Sequence, residues 1–366
     1  MIDMPLAGPV PFGIVGAGWR AQFFLRVARQ LPERFRVSGV VARDPARAAA
    51  MTAAWQVPAY NDLPELLAAQ TPAFVVLSVP RLVGPDLLAE LAERRVPTLT
   101  ETPPAADLVG LHAVWQLVAG GACIQVAEQY LFQPLHAARL AVVRSGRLGR
   151  VSQAQVSVAH DYHGISLLRL LLDVGFNQAT ITARRFDSPL VVGPTRQGPP
   201  LEERVGTSSQ VIAQIDFGDR LGVYDFTGDQ YFSWVRSPRL LVRGERGEIS
   251  DANVRFLQDF DTPVTADFRR VDTGHEGNLE GYHHVGILLG TEWVYRNPFA
   301  PARLADDEIA VASSLDGMAR HVAGGPDVYP FRAAAQDHYL ALLVGQAAET
   351  GAPIQTEPQP WSSAHC

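Results

Sequence analysis

Lysine is absent from this chain, and all 31 of its cationic side chains are arginine. No ammonium group is therefore available for catalysis, and a guanidinium, which stays charged, cannot replace it as a proton carrier. Cysteine is nearly absent as well. Cys123 and Cys366 offer neither zinc-ligand spacing nor a disulfide framework, so a reducing cytoplasm is the expected compartment. Positive charge is in deficit, with 31 Arg against 38 Asp plus Glu and a net charge of −7, which argues against nucleic acid as a partner. Long apolar runs are missing too. The uncharged stretch from Leu108 to Ala127 has the length of a membrane span, yet it contains His112, Gln116, Gly120, Gly121 and Gln125. It reads better as a helix, a Gly-Gly stop and a strand, and no membrane partner is expected. The first residues show no basic segment ahead of an apolar core, so no secretory leader is expected either.

What is present suits a globular protein of two domains: 366 residues, 47% apolar and 19% charged. Apolar strand-like runs at Phe12 to Val15, Val37 to Val41, Phe74 to Val79, Thr98 to Thr100 and Ile124 to Ala127 alternate with segments rich in Ala, Leu, Arg and Glu. That alternation predicts an α/β fold whose N-terminal domain, residues 1–127, is a doubly wound parallel sheet. After Gly149 the runs become alternating or β-branched, as in Gln153 to Val158, Ala179 to Ala183, Gln210 to Phe217, Leu221 to Thr227 and Leu240 to Arg243. They predict a C-terminal α+β domain, residues 128–366, built on a large, mostly antiparallel open sheet. Helical spacing marks Ile165 to Leu172, Asp306 to Val322 and Phe331 to Thr350, and the last two helices are candidates to pack back on the first domain. Ser188 to Glu203, rich in Pro, Gly and charge, is expected to be an exposed loop.

The segment Gly13 to Ala21, GIVGAGWRA, places Gly16, Gly18 and Ala21 directly after an apolar run and before a helix-like stretch. Gly16 permits a tight turn, Gly18 removes the side chain that would block a pyrophosphate, and Ala21 lets the following helix pack closely on the sheet. The helix N-terminus, with Trp19 and Arg20 beside it, then faces the anion. A Gly-rich turn between strand and helix with no ligand would read the same way in isolation. The second strand ends in Ala42-Arg43-Asp44, where a carboxylate would bind the ribose hydroxyl of NAD and a guanidinium the 2′-phosphate of NADP. Ala42 takes the expected acid position, so Arg43 favours NADP, while Asp44 leaves NAD open. Ser78 and Pro80 end the next run and would pass over the cofactor, and Thr100-Glu101-Thr102-Pro103-Pro104 follows at another strand end.

At this point the chain resembles the Gfo/Idh/MocA oxidoreductases, which carry Glu-Lys-Pro here. The likeness includes the GxGxxA turn, Glu101 with Pro103, Ala127 to Tyr130, Gly146 with Gly149, His163 followed by Leu167, Leu168 and Arg169, and residues around Gly324-Gly325, Tyr329, Asp337 and Trp361. The resemblance implies a Rossmann domain, a C-terminal open sheet that forms homodimer or homotetramer interfaces, and hydride transfer at a carbon of a sugar, cyclitol or sugar derivative. It also shows a departure, because Thr102 stands where the family has its catalytic lysine. A neutral hydroxyl cannot stabilise an alkoxide as a cation would.

The strongest remaining chemistry is His160-Asp161-Tyr162-His163, at the entrance to a predicted helix, with His163 matching the family's active-site histidine. Imidazole titrates near neutrality and can take or return a hydroxyl proton, Asp161 can orient it, and Tyr162 can donate to the reacting oxygen. A capped helix start of ordinary polar residues is the plain alternative. Gln129 is assigned to the cofactor, and His160, Tyr130, Arg169, Tyr282 and His283 to a carbohydrate-like substrate. No metal is expected, because the histidine spacing matches no zinc signature and the nicotinamide supplies the electron sink. Two other functions remain open: a nicotinamide-dependent lyase or glycosidase working by transient oxidation, and a nucleotide-binding protein without catalysis.

Overall fold

The computed structural model describes residues 8–274 and 281–363. The chain divides into two compact units. One takes in the residues up to His136 with Arg270–Gly286 and Arg296–Ala335, and the other takes Ala137–Arg269, Ile287–Tyr295 and the residues from Gln336 onward. No helix among the described residues is long and apolar enough to cross a membrane.

The first unit opens with β1 (Val10–Val15), α1 (Ala21–Gln30), β2 (Phe35–Val41), α2 (Pro45–Trp55), β3 (Ala59–Tyr60) and α3 (Leu63–Ala69). It continues with β4 (Phe74–Leu77), α4 (Gly84–Glu93), β5 (Thr98–Thr100), α5 (Leu108–Ala119) and β6 (Ile124–Val126). These strands form one parallel six-stranded sheet in the order β3-β2-β1-β4-β5-β6. All four residues of β4 are buried, as suits a strand covered on both faces. The helices begin where side chains satisfy their free N–H groups: Asp44, Asp62 and Asp107 each accept a backbone N–H in the first turn of α2, α3 and α5. The sheet order reverses between β1 and β4, which opens a crevice at the carboxyl ends of the strands.

The end of this sheet is held by a distant segment. Gln125 of β6, 4% exposed, donates to Asp327 at 2.7 Å and accepts the backbone N–H groups of Val328 and Tyr329 at 3.2 Å each. The backbone of Val126 donates to Tyr329 O at 2.9 Å.

After α6 (Pro134–Arg144) the second unit runs through β7 (Val151–Ser157), α7 (Asp161–Leu172), β8 (Thr180–Val191), β9 (Val205–Asp216), β10 (Leu221–Thr227), β11 (Arg239–Gly244), β12 (Gly247–Ser250) and β13 (Asn253–Leu257). Along the chain then come β14 (Pro263–Thr273), β15 (His283–Leu289), β16 (Glu292–Arg296), α8 (Asp306–Val322), which belongs to the first unit, α9 (Phe331–Thr350) and β17 (Ile354–Gln355). The strands from β7 on form an eleven-stranded sheet in the order β16-β15-β14-β13-β12-β11-β7-β10-β9-β8-β17. Only β7 and β10 run parallel among the pairs with described register. The expected fold class, a parallel Rossmann sheet followed by a large, mostly antiparallel one, is the observed one. α8 meets the region of α1 within the first unit, through Arg26–Glu308 at 2.7 Å and Arg34–Asp316 at 3.4 Å. One expectation is corrected: Ser188 to Glu203 is not a loop throughout, since β8 continues to Val191 and pairs Pro189 with Thr207 and Val191 with Val205.

Candidate functional site

The turn after β1 shows why each glycine stands where it does. Gly16 has φ +114, and a Cβ there would lie 2.0 Å from the carbonyl oxygen of Ser78, at the end of the neighbouring strand. Only glycine lets β1 and β4 close up, with Ser78 N–H donating to Val15 O at 2.8 Å and Gly16 N–H to Val41 O at 3.0 Å. Gly18 is different, because a Cβ there would meet nothing within 4 Å. Its lack of a side chain answers to no packing contact within the protein and leaves open space beside the turn. No side chain caps the N-terminus of α1, and Ala21 is fully buried beneath it.

Beside this turn lies a cavity of about 460 Å³ lined by Gly18, Trp19, Arg47, Met51 and Trp55, among others. Arg47, which lines it, and Arg43, four residues earlier in the chain, are both exposed, and neither is paired with a carboxylate among the described residues. Asp44, by contrast, is engaged in capping α2, its Oδ1 accepting Ala46 N–H at 3.0 Å. Ser78 is buried and Pro80 exposed, with Leu82 and Val83 also exposed beyond it. These features fit a dinucleotide: room without a Cβ at Gly18, open helix-terminal donors for phosphate, and free guanidinium groups.

A polar cluster occupies the ends of β1, β5 and β6. Arg20 donates through Nε to Glu101 Oε1 at 2.7 Å and through Nη2 to Gln129 Oε1. The other carboxylate oxygen of Glu101 accepts Thr102 N–H at 3.3 Å. The Arg20 guanidinium also lies 5.0 Å from the Phe23 ring centroid and 5.9 Å from that of Phe24. Glu128 is fully buried and accepts Tyr130 N–H at 2.8 Å, and the Tyr130 ring lies 6.2 Å from that of His136. Arg20, Glu101, Thr102, Gln129 and Tyr130 thus share one end of the parallel sheet.

The second unit holds the histidine cluster at the start of α7. Asp161 has φ +35, a strained value for a non-glycine residue, and its N–H donates to the Tyr224 hydroxyl at 2.8 Å. Gly164 lets this turn press on Tyr224, since a Cβ would lie 2.5 Å from that ring. Burial, with the nearby Asp161 charge, pushes the Tyr224 phenol well above its ordinary range, so it stays protonated. His160 Nδ1 lies 2.5 Å from the Tyr231 hydroxyl, which also accepts His160 N–H at 3.0 Å. The rings of His160 and His163 are 5.2 Å apart, and those of Tyr162 and His163 5.3 Å apart, both edge-on. Tyr162 is 2% exposed and His163 8%. Arg169, on the same helix, is buried and its guanidinium is engaged by Asp337 and the Gly175 carbonyl.

Tyr282 and His283 belong to the polar segment 274–284, of which residues 275–280 lie outside the described residues. Tyr282 donates to Asp272 Oδ2 at 2.7 Å, and His284 Nδ1 meets Asp272 Oδ1 at the same distance. Arg270 reaches Asp272 at 3.1 Å and also pairs with Asp306. His283 Nδ1 approaches Gly281 O at 3.3 Å. Burial pushes the Asp272 carboxyl up, but hydrogen bonds from Tyr282 and His284 and the Arg270 charge outweigh it and hold it below the ordinary carboxylate range. No group of three or more His, Cys, Asp or Glu among the described residues is arranged to hold a metal ion.

Sequence reasoning did not single out Arg47, Met51 and Trp55 beside the cavity, or Tyr224 and Tyr231 beneath the histidines. Arg47 carried a signal, being three residues past the helix cap Asp44, whereas the tyrosines come from strands and turns far along the chain and carried none.

Residues 10–128 match the Gfo/Idh/MocA oxidoreductase family's NAD-binding Rossmann fold. No curated protein matches the sequence. Among solved structures, an NAD-binding oxidoreductase from Klebsiella pneumoniae aligns over 96% of this chain and all of its own, with TM-score 0.70 and 14% identity. Levoglucosan dehydrogenase, in complex with NADH and levoglucosan, aligns over 95% of this chain and 99% of its own, at TM-score 0.68 and 14% identity. The WlbA dehydrogenase of Bordetella pertussis, bound to NADH and UDP-GlcNAcA, covers 96% of this chain and 100% of its own, at TM-score 0.63 and 16% identity. At such identities the likeness is one of fold.

Proposed function

We propose that this chain is a Gfo/Idh/MocA-type oxidoreductase that moves a hydride between a nicotinamide dinucleotide and a hydroxyl or keto carbon of a sugar, cyclitol or sugar derivative. One observation carries the cofactor assignment: Gly18 has no packing reason to be glycine, within a stretch that matches an NAD-binding family. The substrate class is supported by the levoglucosan and UDP-GlcNAcA complexes of two structural neighbours. Bound nicotinamide would accept or supply the hydride.

The protein's own residues do the rest. Gly16, Gly18, Trp19 and the α1 N-terminus receive the pyrophosphate, while Ser78 and Pro80 pass beside the cofactor. Arg43 and Arg47, free of carboxylate partners, take the 2′-phosphate of NADP, which makes NADP the preferred coenzyme and NAD the second. His163 exchanges the hydroxyl proton as acid and base. Its imidazole is fixed edge-on between His160 and Tyr162, and Asp161 and Tyr224 fix the backbone that carries it. Thr102 beside the reacting centre supplies a hydroxyl and no charge. Phe186 and Ile212, 49% and 43% exposed on the β8–β9 pair, support assembly into a homodimer or homotetramer through the open sheet.

The test incubates purified protein with NADP and NAD separately across sugars, cyclitols and their keto forms, reading cofactor absorbance and substrate mass together. Turnover with net cofactor reduction, faster with NADP, is expected. His163→Ala should lower kcat by roughly 100-fold or more while coenzyme affinity is retained. Substrate conversion without net cofactor change would instead establish the lyase or glycosidase chemistry. Coenzyme binding with no conversion of any substrate would leave a non-catalytic nucleotide-binding protein.

A further inference from the structure

Removing a hydride from an alcohol carbon turns that carbon into a carbonyl, and as the hydroxyl proton departs, negative charge gathers on its oxygen. A fixed cation or a set of preorganised donors must meet that charge for the reaction to be fast. This chain has no lysine anywhere, and Thr102 beside the expected reacting centre is neutral. The permanently charged group that the structure does place at the ends of β5 and β6 is Arg20. Its side chain is 16% exposed, and it is gripped from two sides by residues 81 and 109 positions away, Glu101 and Gln129. Phe23 and Phe24 lie against it on a third side.

The grip uses Nε and Nη2 only. Nη1 has no hydrogen-bond partner among the described residues. A guanidinium so braced has lost its rotational freedom in advance and keeps N–H donors in hand for an incoming oxygen. We propose that Arg20 is the electrophilic cation of the reaction centre, held by Glu101 and Gln129 so that its free edge meets the oxygen that becomes negative during hydride transfer. This rests on the redox reading above.

The balance of the step is simple. In the oxidative direction the substrate O–H bond breaks and its proton passes to an imidazole or water. The C–H bond breaks with its electron pair going to the oxidised nicotinamide, and a C=O bond forms. Arg20 gains and loses no atom in the step and contributes only fixed charge and N–H donors. It lowers the energy of the charged oxygen and leaves proton carriage to another group.

The test compares wild type with Arg20→Ala, Arg20→Lys and Gln129→Leu, measuring kcat, KM, coenzyme Kd by quenching of tryptophan fluorescence, and the isotope effect with 4-deuterated reduced coenzyme. Arg20→Ala should lower kcat by roughly 100-fold or more with coenzyme Kd changed by no more than about threefold. Its isotope effect should rise as hydride transfer becomes limiting, and added guanidinium ion should restore part of the rate. Arg20→Lys should retain more activity than Arg20→Ala. Gln129→Leu, which keeps the charge and loosens its brace, should lower kcat by about tenfold, and it decides the matter if Arg20→Ala does not fold. An unchanged kcat in Arg20→Ala or Gln129→Leu, or a loss confined to coenzyme affinity without rescue, overturns the proposal while leaving the redox reading intact. A wild type that binds coenzyme and transfers no hydride overturns both.

Discussion

Exchanging Gly16 and Gly18 for alanine, one at a time, separates a glycine the fold needs from one a ligand needs. At position 16 the backbone has φ +114, a region that costs a non-glycine residue about 1–3 kcal/mol. The new Cβ, 2.0 Å from Ser78 O, would also force β1 and β4 apart at their ends. That movement puts at risk the 2.8 Å bond from Ser78 N–H to Val15 O, worth about 1 kcal/mol. A loss of roughly 2–4 kcal/mol follows, which lowers the melting temperature by about 5–15 °C in a domain of this size. At position 18 the new methyl meets nothing within 4 Å, so stability should stay within about 0.5 kcal/mol of wild type. The same methyl would stand in the way of a pyrophosphate, and coenzyme Kd should rise at least about tenfold, or about 1.4 kcal/mol. Thermal unfolding without ligand and calorimetric titration with NADP give both quantities. A Gly18→Ala protein that binds coenzyme as wild type does would refute the placement of the phosphate at this turn.

Other outcomes follow from the polar interior. Asp337→Leu should destabilise the second unit by roughly 3–5 kcal/mol in urea unfolding, because it strips Arg169 of its buried carboxylate, and Arg169→Met in the same chain should recover a good part of that loss. The carboxyl of Asp272 titrates below its ordinary value of 3.8 in the folded protein, so the stability it contributes is present above that value and is lost as pH falls through the lower folded one. Melting temperature measured from pH 5 downward should therefore fall more steeply in wild type than in Asp272→Asn, and equal slopes would contradict the hydrogen-bond assignment.

What the sequence made legible is what local chemistry fixes. The run Phe74 to Val79 reads as a strand from its apolar residues, and the structure has β4 over Phe74–Leu77 with all four residues buried, whereas the helix caps Asp62 and Asp107, which accept N–H groups three residues on, went unremarked in the sequence. Leu108 to Ala127 resolves into α5, a glycine stop and β6 because charge-free length without a membrane's uniform apolarity suits nothing else. The extension of β8 to Val191 was hidden by Pro189, which has no N–H and whose composition context suggests a loop, while its pairing with Thr207 lies outside any local pattern. The candidate site divides in the same way. Gly16 and Gly18 are recognisable from spacing, but Glu101 and Gln129, which hold Arg20, and Asp337, which holds Arg169, lie 81 to 168 residues away and are brought there by tertiary packing.

The grip of Gln125 on the backbone at Val328 and Tyr329 bears on how the molecule is made. A ribosome that has delivered the chain through His136 has supplied every strand of the six-stranded parallel sheet, yet the segment that seals the last of them is about two hundred codons downstream. During that interval β6 is an open flank, and the nascent parallel half must wait, with its border unfinished, for a piece of polypeptide translated after all but the last strand of the antiparallel sheet has emerged.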